Sequence, residues 1–75
     1  MSERRNGILI YDTANKAFDV RFGLEEYYGG LCCGKCFEVM VKGKWVPVRI
    51  ELNYPDDWYL VGLPRVDLNG LQVRI

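Results

Sequence analysis

The sequence predicts an all-β domain, a small SH3-like partly open barrel or strongly bent antiparallel sheet of five to six short strands. Three observations carry that reading. Apolar residues recur at a spacing of two along most of the chain, the period of a half-buried strand, and no window sustains the three-and-four spacing of a helix. Clusters of Gly, Pro, Asn and Asp punctuate the chain roughly every eight to twelve residues, as in small barrels and sandwiches. Seventy-five residues hold one small core, with two Trp, five Tyr and three Phe to fill it from few positions.

The elements follow in order. The polar start "MSERRNG" predicts a disordered tail over residues 1–6, ahead of a single domain over 7–75. "GILIYD" reads as a first strand and "TANK" as a turn. "AFDVRF" is a second strand, with Phe18, Val20 and Phe22 alternating against Asp19 and Arg21, so the pair predicts a hairpin with one wet face. From Gly23 to Gly34 the periodicity lapses and four glycines mark a loop, within which "LEEYY" has room for one helical turn.

"CFEVMV" and "WVPVRIEL" then flank Lys42, Gly43 and Lys44. A Gly43-Lys44 turn places Pro47 where a backbone N–H is needed, whereas a Lys42-Gly43 turn asks Lys42 for a positive φ, and the residues leave both registers open. Either one puts Phe37, Val39 and Val41 on the same face as Val46, Val48 and Ile50. In "NYPDDW" a type I turn centred on Pro55 and Asp56 sets Trp58 opposite Asn53. By that parity Tyr59 and Val61 turn inward, and Trp58 and Leu60 join Arg49 and Glu51 outside. "DLNG" is a tight turn, and the step "VDLNG" resembles the single 3₁₀ turn that SH3-like barrels place before their last strand. "LQVRI" closes the pattern with Leu71, Val73 and Ile75 inward.

With the strands laid out, "GILIYD", "FDVRF", "YYGGL", "CGKCFEVMV", "GKW", "RIE", "WYLVGL" and "LNGLQVRI" together resemble a family of short bacterial proteins, mostly from Gram-positive anaerobes, known only as a domain of unknown function. The likeness runs from about Gly7 to Ile75 and is most specific at "FEVMVKGKW" and "LNGLQVRI". It implies a free-standing cytosolic β domain and supplies no activity, substrate or functional residue.

Composition narrows the function classes. Ten Lys and Arg balance ten Asp and Glu, so no global field draws in nucleic acid or an anionic membrane. The sequence has neither an apolar run of membrane-spanning length nor the apolar stretch of a signal peptide, and the expected compartment is the cytoplasm. With no histidine the commonest general acid/base is absent, and the adjacent carboxylates Glu25-Glu26 and Asp56-Asp57 fall in loops, where such pairs solvate turns. The expectation is a protein that is not an enzyme and holds no cofactor.

"CCGKC" is the densest candidate site. Cys33-Gly34-Lys35-Cys36 has the spacing of half a zinc knuckle, but a closed zinc site needs four ligands, and only a homodimer sharing two such halves would supply them. Redox use needs a lowered thiol pKa, usually at a helix N-terminus, and here a strand follows. The segment therefore reads as a strand start, with Cys36 a small apolar residue and Cys32 and Cys33 in the loop.

Aromatics beside an arginine are the residue types of protein-binding hot spots, which makes Trp45, Trp58, Tyr27, Tyr28, Tyr54 and Arg49 the candidate contact set. The leading expectation is an interaction module for a protein or peptide. The alternative is a nucleic-acid-binding small β-barrel that uses Lys42, Lys44 and Arg49, with Lys35, beside Trp45. Interleaved Glu38 and Glu51 weaken that strip, and a cross-strand Glu38–Arg49 ion pair is expected on it. A free strand edge or an apolar patch leaves monomer and homodimer both open.

Overall fold

The period-two alternation becomes a six-stranded antiparallel sheet in the computed structural model, which describes residues 4–75. The strands are β1 (Asn6–Asp12), β2 (Ala17–Arg21), β3 (Cys36–Val41), β4 (Lys44–Asn53), β5 (Asp57–Val61) and β6 (Gln72–Arg74). Their spatial order is β2-β1-β6-β3-β4-β5. The last strand in sequence thus sits in the middle and joins the β1–β2 hairpin to the β3–β4–β5 meander. No described residue is helical.

The ten-residue β4 makes the sheet bend. Up to Arg49 it pairs with β3, and from Arg49 onward with β5, so the β4–β5 hairpin swings back over the inner face of β2. There Trp58 meets Phe18 edge-on with ring centroids 6.2 Å apart, and its Nε1 donates to the Lys16 carbonyl at 3.3 Å. The edge strands β2 and β5 do not pair, and the curl stays open. The other side of β2 is occupied, because Tyr28 N–H donates to the Val20 carbonyl and Leu31 N–H to the Phe18 carbonyl. Those two bonds use backbone groups that an open edge would offer to another chain.

Inside the curl lie Leu9, Phe18, Val20, Leu31, Phe37, Val39, Val48, Ile50, Leu60, Leu68 and Val73, all buried. Every strand contributes, and no polar or charged side chain among the described residues is buried with them.

The β3–β4 turn resolves the open register. Val41 pairs with Lys44, so Lys42 and Gly43 form the turn, at φ 49° and 80°. Two positive φ values define a type I′ turn, whose twist matches the strands. Counting from that turn, Glu38 and Pro47 face each other in a pair that exchanges no hydrogen bonds, and the missing proline N–H costs nothing.

Other expectations need correction. The β4–β5 loop is one residue shorter than expected: Asn53 pairs with Asp57 and Leu52 with Trp58, and the Tyr54–Pro55 peptide is cis. A one-residue shift exchanges the two faces. Leu60 is consequently buried and Trp58 packs against the core, while Val61 turns out to solvent. "LEEYY" makes no helical turn; Phe22 N–H donates to the Glu26 carbonyl instead, and Tyr27 bridges to Arg21. The step before β6 is a single hydrogen-bonded turn, Leu71 N–H to the Leu68 carbonyl, without a 3₁₀ helix. Of the expected tail, residues 1–3 lie outside the described residues, whereas Asn6 opens β1 and Arg5 exchanges two backbone hydrogen bonds with Ile75. The strand ladder therefore begins before Gly7, the predicted N-terminal boundary.

Gly7 lies where β1 passes between β2 and β6, and a Cβ there would stand 2.5 Å from a Val20 methyl and 2.8 Å from the Arg21 carbonyl oxygen. Backbone cannot yield as a flexible side chain does. Gly7→Ala is expected to lower unfolding stability by about 1–3 kcal/mol, read as a fall in urea midpoint at unchanged m-value.

Candidate functional site

Beside the sheet lies an open cleft of about 900 Å³. Its rim collects residues that are far apart in sequence: Phe22 after β2, Tyr27 and Tyr28 beyond it, Arg5 before β1, Arg74 of β6 and Arg49 of β4. Val61 and Ile75 add apolar surface over the buried Phe37 and Val48, and Lys35, Arg4 and Glu38 complete the charged lining. Strand order alone explains this gathering, since β6 brings Arg74 beside Glu38 and its following residue beside Arg5.

The aromatic lip is held from below. Asp19 faces outward on β2, and its Oδ1 accepts from the backbone N–H groups of Val20, Gly29 and Gly30 at 2.7, 3.0 and 2.9 Å. On the near side of the loop, the Arg21 guanidinium donates to the carbonyls of Gly23 and Leu24 at 2.8 and 3.2 Å. Arg5 stacks over Phe22 at 4.0 Å and pairs with Glu26 at 2.6 Å. A segment without regular secondary structure is thereby held by three side chains, Asp19 and Arg21 of β2 and Arg5 just before β1. What it presents is apolar: Leu24 is 85% exposed, Tyr27 47% and Tyr28 42%.

The cations of the cleft are mostly occupied. Arg4 and Arg74 share Glu38, and Arg49 pairs with Glu51 at 2.6 Å. The expected Glu38–Arg49 pair does not form, because Glu38 lies opposite Pro47 on one side and Arg74 on the other. Lys35 stands 5.4 Å above the Tyr28 ring and has no carboxylate partner among the described residues.

Of the six candidate contact residues, the structure brings together Tyr27, Tyr28 and Arg49. Trp45 lies near the β3–β4 turn, half-buried, with the Arg74 guanidinium 4.5 Å over its ring. Trp58 is a partly buried wall of the core, and Tyr54 projects alone from the β4–β5 turn at 86% exposure. Lys42 and Lys44 sit at the β3–β4 turn, five pairs along β3 from Arg49, so the basic strip is split. Arg4, Arg5, Phe22 and Arg74 carry no local signal in the sequence, since each sits at a strand end and joins the others only through tertiary pairing.

Cys32, Cys33 and Cys36 are free and exposed. Gly34 N–H donates to the Ile50 carbonyl and Ile50 N–H to the Lys35 carbonyl, which extends the β3–β4 ladder back into "CCGKC". Among the described residues no three His, Cys, Asp or Glu side chains converge closely enough to hold a metal ion.

With this geometry in hand, comparison with known proteins is informative. Residues 7–75 match the model of a family described as Domain of unknown function (DUF5348). The chain belongs to this family. A crystal structure of a family-like protein from Ruminococcus gnavus is 59% identical, covers 95% of this chain and 100% of its own, and superposes with a TM-score of 0.88. No curated protein matches the chain. Family membership thus accounts for the fold and leaves the cleft without an assigned role.

The far end of β1 has the opposite character. Asp56, Asp57 and Asp67 line a shallow depression with Tyr11, Phe18 and Trp58. Asp57 accepts two hydrogen bonds from Arg65, at 2.6 and 2.8 Å, which hold its carboxyl below the ordinary aspartate range. Asp12 is held low by Asn15 in the β1–β2 turn.

Two expectations follow. In Asp19→Ala the Gly29 and Gly30 amides exchange with deuterium faster than in the parent, and the lost hydrogen bonds lower stability by about 0.5–1.5 kcal/mol. In Arg65→Gln the Asp57 carboxyl titrates at higher pH, as read by carboxyl ¹³C shifts. Because the folded-state pKa of Asp57 is depressed, its contribution is fully present above the unfolded value of about 4 and is lost as pH falls through the folded value. The acid limb of the parent's stability curve should therefore flatten in Arg65→Gln.

Proposed function

We propose that this chain is a non-enzymatic interaction module that binds a protein or peptide at the cleft, through Tyr27, Tyr28 and Arg49 on an SH3-like frame. The observation that supports the reading is the tied lip. Asp19 and Arg21 spend their polar groups on the backbone of a loop whose own side chains, Leu24, Tyr27 and Tyr28, face solvent. Exposed aromatics on an ordered backbone lose little further entropy on binding, which is how preorganised contact surfaces gain affinity. Tyrosine and arginine are also among the side chains that dominate binding hot spots.

Trp45 and Trp58 act elsewhere in this reading, Trp45 under Arg74 and Trp58 as a lid on the core. A phosphate backbone, with a charge at every unit, is the poorer occupant, since Arg4, Arg5, Arg49 and Arg74 have carboxylate partners and Lys35 is left to meet a single anionic group. The non-enzymatic part rests on the same pairing: the cleft carboxylate, Glu38, is clamped by two arginines and is poorly placed to move protons. A cytoplasmic setting suits three exposed thiols, which it would keep reduced.

The test is peptide-display selection on the folded protein, followed by ¹⁵N shift mapping of a selected peptide. The expected result is a binder whose shifts centre on Tyr27, Tyr28 and Arg49, and which weakens at least about tenfold, or 1.4 kcal/mol, in the Tyr27→Ala/Tyr28→Ala double variant. Binders that map to Trp45 or Trp58, an empty selection, or tight salt-sensitive binding of oligo(dT) in place of peptide would each overturn the proposal.

A further inference from the structure

Resting on that reading, we infer that the occupant of the cleft is an acidic, extended peptide: its carboxylate side chains are met by Lys35, and an adjoining aromatic or apolar side chain lies against Tyr27 and Tyr28. Charge complementarity carries the inference. Among the described residues five cations line the cleft, namely Arg4, Arg5, Lys35, Arg49 and Arg74, and one carboxylate side chain, Glu38. Glu26 and Glu51 reach in from outside to pair with Arg5 and Arg49, which leaves Arg4 and Arg74 sharing Glu38 and Lys35 with none. The site thus retains a positive excess beside exposed aromatic surface.

The apolar part of the lining decides between anions. Val61, 41% exposed, and the half-buried Ile75 lie within the same cleft as the cations, with the buried Phe37 and Val48 behind them. A peptide alternating carboxylate and aromatic side chains satisfies both kinds of surface, whereas a phosphodiester chain leaves aliphatic surface against charged oxygens. Recognition here proceeds through side chains, because the β2 edge next to the lip is already paired with the backbone of Tyr28 and Leu31.

Lys35 is the residue that separates this idea from general electrostatics. Its backbone belongs to the extended β3–β4 ladder, and its side chain makes no ion pair among the described residues. Lys35→Gln therefore removes the charge and leaves the fold. Lys44→Gln, at the distant turn, removes the same charge from a residue outside the cleft.

The probes are a random Glu-Tyr copolymer, polyglutamate and oligo(dT), titrated at low salt against the parent and both variants. The copolymer is expected to bind tighter than polyglutamate and oligo(dT), to weaken by about fivefold to tenfold in Lys35→Gln, and to be unchanged in Lys44→Gln. An equal loss in both variants, preference for oligo(dT), or no copolymer binding overturns the acidic-peptide inference. The two levels separate cleanly. If display selection yields uncharged peptides that map to Tyr27 and Tyr28 and ignore Lys35→Gln, acidity is wrong and the module stands; if no peptide of any charge binds there, the module reading falls.

Discussion

The three residues of β6 are the element on which the remaining architecture depends. Val73, fully buried, sits between Gly7 of β1 and Val39 of β3, so one short strand converts a hairpin and a meander into a continuous sheet. Neither neighbour reaches the other without it. The closing contacts span most of the chain, as when Arg5 pairs with Ile75, and the loop entropy they require is lost before the sheet is complete. The cleft inherits the same dependence: Arg74 and Ile75 on one side, and Arg4 and Arg5 on the other, occupy their places only once β6 is seated.

Period and parity were legible wherever turn length was. The alternation Phe37, Val39 against Val48, Ile50 survives any even shift of register, and the structure keeps it. The same rule failed at β5, because parity there depends on whether the Asn53 to Asp57 loop holds three residues or four. Leu60 and Trp58 changed faces on that one residue. Pro55 and two aspartates announce a turn without stating its length, and local turn chemistry is silent on the β-sheet neighbour that arrives from elsewhere. Glu38 shows the second kind of loss. Opposite Pro47 it has no partner on β4, and its arginine comes from the far end of the sequence on β6.

The lip illustrates what the composition of a loop does and does not reveal. Four glycines and no periodicity between Gly23 and Gly34 marked a loop, and backbone and side-chain bonds to β2 and β4 hold several of its residues in place. Asp19 looked like the polar half of an alternating strand. Its actual use, accepting from Gly29 and Gly30, needs the chain to double back along the β2 edge, which no spacing rule encodes. Tyr27 and Tyr28 were visible as aromatics in a loop; the Lys35 ammonium over the Tyr28 ring and the cleft shared with Arg49 were not.

A net charge of zero also concealed an arrangement. Arg5 precedes β1 and Asp12 ends it, roughly 20–25 Å apart for a seven-residue strand, and each is the start of a like-charged group. Arg4, Arg49, Arg74 and Lys35 gather toward the first end, and Asp56, Asp57 and Asp67 toward the depression at the second. Ten charges of each sign therefore cancel in sum without cancelling in space. Separated poles orient an approaching molecule even where they add little to final affinity, because a charged segment close to the surface is favoured at one end and disfavoured at the other. Over a molecule whose largest extent is 33 Å, several Debye lengths at physiological salt of about 8 Å each, the two ends act as independent surfaces. Each end therefore acts on an approaching charge only within about one Debye length of its own surface.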